Sequence, residues 1–119
     1  MAYNVIKRRQ VGATGGITYG WGVGLGSSES VVYVSGSSNV GISGQVKTGN
    51  YDGFIAIYNN SGDLLKTNLL GSSGGILYLR SIGLDSNNTP YITGNTNVGV
   101  FGQSQSGSND YFAIKYFMP

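Results

Sequence analysis

The chain is 119 residues long, one domain's worth of material, and its seven Lys and Arg against five Asp and Glu leave a net charge of +2. That excess is too small for the dense basic stripe that nucleic acid demands, so no nucleic-acid partner is expected. The absence of both His and Cys removes the usual acid–base group near pH 7, thiolate metal sites and disulfides.

Twenty-one glycines stand beside nine tyrosines, a mixture that describes tight turns between strands rather than disorder. Residues 1–9 hold no apolar run long enough for a signal peptide, and no segment is long enough to cross a membrane. The expectation is a chain without membrane insertion, cytoplasmic or exported by a non-classical route.

In chain order the apolar pattern has a two-residue period. The expected strands are residues 5–11, 17–25, 31–35 and 54–58, then 64–70, 76–84, 90–93 and 111–117. Turn signals separate them, with Asn59-Asn60-Ser61-Gly62-Asp63 and Asp85-Ser86-Asn87-Asn88-Thr89 each closing a hairpin.

The second four strands repeat the first. Residues 5–25 realign on 64–84 at an offset of 59, with 8 identities in 21 positions. Residues 33–58 realign on 91–116 at an offset of 58, with 11 in 26. The chain therefore reads as a single domain, 1–119, of two tandem repeats at about 4–62 and 63–119. Four antiparallel strands per repeat of nearly sixty residues is the pattern of a β-propeller blade.

The repeats also carry motifs of a known kind. Val34-Ser35-Gly36 and Ile92-Thr93-Gly94 end one strand in each copy. Asp52-Gly53-Phe54-Ile55-Ala56 and Asp110-Tyr111-Phe112-Ala113 begin another, and Asn59-Asn60-Ser61-Gly62 follows the first of these. The chain thus resembles the bacterial β-propeller repeat family over nearly its whole length. The resemblance implies an all-β propeller fold and carries no defined biochemical role. Family members generally close a ring within one chain, whereas this chain has two repeats.

The arrangement of the ends predicts assembly. Strand 64–70 follows the first repeat's last strand and is placed to complete its sheet. The second repeat has no such successor, while 5–11 is an outer strand without a sheet. An unpaired edge is a liability. Residues 5–11 are therefore expected to complete the second blade of a neighbouring subunit and close a homo-oligomeric ring. A trimer of six blades is the first choice, with a tetramer or a dimer behind it.

Two groups of residues are candidate binding contacts. On the inner strands Tyr19 corresponds to Tyr78, and Trp21 to Arg80. Their rings offer apolar faces to sugar C–H groups, and the guanidinium offers a fork to hydroxyls or a carboxylate. The alternative is that Trp21 packs between blades with Arg80 stacked beside it. In the long loops, the string Asn-Val-Gly-x-x-Gly-Gln recurs unchanged, presenting Asn39, Gln45, Asn97 and Gln103. Those amides suit sugar hydroxyls, but Gly and Asn also recur for turn geometry alone.

Enzyme chemistry has little to work with, and Asp52 and Asp110 read as turn caps rather than as a carboxylate pair. The expectation is a non-enzymatic, lectin-like carbohydrate-binding oligomer with no cofactor or metal, and glycans as its ligands. The alternative is a structural or protein-interaction scaffold.

Overall fold

The computed structural model describes residues 7–26 and 31–117. The fold is all-β, and the described residues contain no helix. Seven strands form two antiparallel sheets: β1 (Thr18–Leu25), β2 (Val31–Ser38), β3 (Asp52–Asn59) and β4 (Leu64–Leu70), then β5 (Leu77–Leu84), β6 (Pro90–Thr96) and β7 (Asp110–Lys115). The first sheet runs β1-β2-β3-β4 and the second β5-β6-β7.

As expected, β4 pairs with β3, from Gly53 opposite Leu70 to Tyr58 opposite Leu64. The second sheet stops at β7. Residues 5 and 6 lie outside the described residues, and residues 7–11 are exposed and belong to no strand. Of the expected strand 5–11, the described residues 7–11 thus form no strand and do not pair with β7.

Strands β2, β3 and β6 are longer than their apolar runs. β2 continues to Ser38 because Ser37 and Ser38 still pair with Gly53 and Asp52 of β3, and with Tyr19 and Thr18 of β1. Pairing on both sides satisfies the backbone there, whatever the polarity of the side chains. The last strand is shorter than expected, its ladder ending at Lys115.

The hairpins close by one device. Asn59 Oδ1 accepts from the Ser61 and Asp63 amides at 3.0 and 2.9 Å, with Gly62 at φ 84. Asp85 Oδ1 accepts likewise from Asn87 and Thr89, at 2.9 and 3.0 Å. A short side-chain acceptor at the first position mimics a backbone turn, which is why Asn and Asp serve alike.

Strand alternation gives each sheet two faces. In the first sheet Val23, Leu25, Val32, Val34, Phe54 and Ala56 share one, here called the front; Gly24, Tyr33, Ser35, Ile55 and Ile57 share the back. One core cluster, Ile42, Phe54 and Ala56, lies on the front of the first sheet, and the other forms where the back of the first sheet meets the front of the second. Tyr33 and Ile55 pack there with Leu79 and Ile92, flanked by Ile57, Leu70, Ile82, Leu84, Phe112, Ile114 and Tyr116. Ile55, Leu79 and Ile92 are completely buried. Asn68 on the back of β4 donates to the Tyr116 hydroxyl at 2.9 Å, tying the sheets at their outer side.

Candidate functional site

Trp21 and Arg80 are each the bulged residue of an inner strand. The β1–β2 register slips between Gly20 and Gly22, and the β5–β6 register slips at the same place, between Leu79 and Ser81. A bulge leaves one residue unpaired and re-aims its side chain. Both side chains are then anchored one strand over by repeat-equivalent partners. Trp21 Nε1 donates to Ser37 Oγ at 3.0 Å, and Arg80 Nε donates to Asn95 Oδ1 at 2.6 Å.

Because the sheets pack back to front, the two bulges meet. The Arg80 guanidinium carbon lies 4.7 Å from the centre of the Trp21 ring system and 5.1 Å from that of Tyr78. Tyr19 tilts against Trp21 at 5.2 Å, and Trp21 meets Tyr78 edge-on at 6.3 Å. Trp21 keeps 41% and Tyr19 43% of its surface exposed. Both sequence readings of this pair therefore meet in one geometry: Arg80 stacks on the indole at the sheet junction, and the cluster still faces solvent.

Among the described residues Arg80 has no carboxylate partner. Its charge is held by aromatic faces, at about 0.5–1 kcal/mol for an exposed cation–π contact, and the terminal guanidinium nitrogens remain available. The cluster can take an apolar ring edge or sugar face and hold a hydroxyl or anionic oxygen beside it.

Four of the eight sequence-selected residues are thus brought together. The other four are not in contact with the cluster, and the fold uses them locally. Asn39 Oδ1 accepts from the Ile17 amide at 2.7 Å and Asn97 Oδ1 from the Ile76 amide at 2.8 Å, each clamping the start of an inner strand. The Gln45 and Gln103 amides close tight turns onto Ile42 and Val100, both at 2.9 Å. Those turns need two successive positive φ values, at Ser43 and Gly44 in one copy and at Phe101 and Gly102 in the other. Val40 and Val98 sit against Gly16 and Gly75, where a Cβ has no room. A Cβ on Gly41 or Gly99 would run into the Gln45 or Gln103 carbonyl oxygen, so every shared residue of the repeated string has a folding role.

Asp52 and Asp110 are the turn caps expected. Asp52 accepts from the Thr48 and Gly49 amides, both at 2.7 Å, and Asp110 from those of Ser106 and Gly107 at 2.6 and 2.8 Å. The two N–H donors, Ser106's first, hold the Asp110 carboxyl below its ordinary 3.8. Asp85 is lowered too, chiefly by the Thr89 amide, then by those of Asn87 and the Tyr91 hydroxyl, with Lys115 nearby.

The sequence reading missed Tyr51, whose ring lies 5.8 Å from Tyr78. Tyr51 forms a lone parallel bridge to Ile76 and accepts from the Leu77 amide at 2.9 Å, which carries it from one sheet to the other. It also missed a groove of about 730 Å³ over the front of the first sheet, floored by Gly20, Val32, Val34 and Ala56 and bordered by Lys7, Arg8 and Arg9.

No family model matches the chain, and no curated protein is significantly similar to it.

Proposed function

We propose that this chain is a non-enzymatic, lectin-like subunit of a β-propeller ring, with a shallow carbohydrate site at the junction of its two blades. The observation that carries the reading is the Tyr19–Trp21–Arg80–Tyr78 cluster. It joins half-exposed aromatic rings to a guanidinium with no carboxylate partner among the described residues, on bulges that two packed sheets hold in place. Pre-positioned rings give apolar contact at low entropic cost, and the guanidinium supplies direction. Copies of so small a site on one rigid ring gain strength by avidity rather than by new contacts.

Ring formation rests on the missing strand. β4 comes from the second repeat by sequence yet completes the first sheet. Residues 5–11 are its repeat equivalent, and β7 offers the matching edge. Strand exchange between subunits fills that edge, and three subunits give six blades. Asp52 and Asp110 are committed to backbone amides, in keeping with binding rather than catalysis.

The scaffold alternative is favoured by one observation: the repeated loop string is consumed by folding, so its recurrence needs no ligand. A glycan array read with the intact oligomer separates the two. Binding that quenches or shifts Trp21 emission and is lost in Trp21→Ala and Arg80→Gln supports the lectin reading. An intact oligomer with no glycan bound and unchanged emission supports the scaffold.

A further inference from the structure

We infer that a second copy of this chain docks on the exposed β1 side of the front of the first sheet, repeating between subunits the junction already built within one. The inference rests on the ring reading above and adds the faces, the contacts and a second site. The two sheets are copies of one unit packed head to tail, so the chain presents one unused front and one unused back. On the front of the first sheet Val23 and Leu25 of β1 are 64% and 61% exposed, while Phe54 and Ala56 of β3 are already buried against Ile42. On the unused back Tyr91, Tyr111, Ala113 and Lys115 are exposed. Faces of this heterologous kind repeat until a ring closes.

Residue sizes are exchanged between the two junctions in a compensating way. Within the chain, Gly53 on the back lies against the Leu79 side chain. The repeat equivalents are Tyr111 on the free back, 88% exposed, and Gly20 on the free front, with open space where a Cβ would stand. A large residue against a glycine is kept, with the sides reversed. Likewise Gly24 touches Ile82 and Leu84 within the chain, while its equivalent Gly83 faces open space and awaits Val23 and Leu25 of the next copy.

The same correspondence builds a second binding cluster. At the new junction the bulge on the back is Arg80 and the bulge on the front is Trp21 of the neighbour. Each Arg80 is then flanked by two indoles, its own and the neighbour's, so half of the sites exist only in the assembly.

The test is a mutant cycle on the full chain, read by light scattering behind a sizing column over a wide dilution range, with circular dichroism confirming the fold. Gly20→Leu fills the space and Tyr111→Gly removes the residue that uses it. Each is expected to weaken self-association by roughly 2- to 150-fold, the range for residues in contact. The double variant recreates the Gly53–Leu79 pair and is expected to recover most of the loss. Singles without effect, or a double no better than the singles, overturn the docking. Deleting residues 1–11 keeps the two ideas apart: assembly lost on deletion but indifferent to the cycle leaves strand exchange standing and removes this interface. A wild-type chain that stays monomeric throughout removes both.

Discussion

The two sheets are built from one repeat yet live in different surroundings. In the first, the back is sealed by its neighbour and β3 is flanked on both sides. In the second, the front is sealed, the back is open and β7 is an edge. The same register and the same bulge therefore occur with different burial: β3 is buried on both faces from Asp52 to Ala56, whereas its counterpart β7 alternates between exposed and half-buried residues. The lesson is that the strand pattern belongs to the repeat, while burial belongs to its position in the row.

That contrast is broken most forcefully by cutting the sealed face. Ile92→Ala is expected to cost about 2–5 kcal/mol in urea unfolding, because Ile92 is fully buried. Its equivalent Val34→Ala, half-buried on the open front, is expected to cost distinctly less. Equal losses would mean that the front of the first sheet is already covered in solution.

The aspartate pair sharpens the comparison next. Asp52 and Asp110 make the same two hydrogen bonds, but Asp52 is wholly buried. Asp52→Asn is expected to cost about 1–3 kcal/mol, the penalty for disturbing a buried polar group, and Asp110→Asn less. Comparing their unfolding midpoints checks it.

The pH dependence has a fixed sign. A carboxyl held below 3.8 in the folded chain contributes stability that is fully present above that value and lost as the pH falls through the lowered folded value. Midpoints followed downward from pH 5 are expected to hold until about pH 4 and then drop, and the drop should be shallower in Asp110→Asn. A drop centred above pH 5 would point to other groups.

The smallest effect is expected from Ser35→Ala. Its hydroxyl is buried at the sheet junction with no hydrogen-bond partner among the described residues, so removing it should leave stability unchanged or raise it by up to about 1 kcal/mol. A clear loss of stability would mean that Ser35 Oγ has a partner at that junction after all.

Much of this fold was legible in the chain itself. Apolar alternation located every described strand, Asn59 and Asp85 marked their hairpins, and the resemblance to propeller repeats placed β4 in the first sheet. Trp21 and Arg80 were selected as equivalents, but not the reason they meet. A bulge is a property of cross-strand register, which needs the partner strand, and Ser37 and Asn95 matter only through that register. Tyr51 was hidden by its Gly/Asn-rich surroundings, since a bridge between sheets leaves no periodic trace. The Asn39 and Asn97 side chains were legible by type but not by use: an amide oxygen suits a sugar hydroxyl and a backbone N–H equally well.

The position of β4 has one more consequence. The covalent unit and the hydrogen-bonded unit are out of step by one strand, so the point where the chain begins is a choice the fold does not require. A circular permutant that opens at Ile17 and carries residues 1–16 after its present C-terminus would deliver the missing strand to β7 of the same molecule. Under the proposed strand exchange, sheet completion would then become intramolecular and independent of concentration, leaving the proposed face-to-face docking alone to hold the proposed ring.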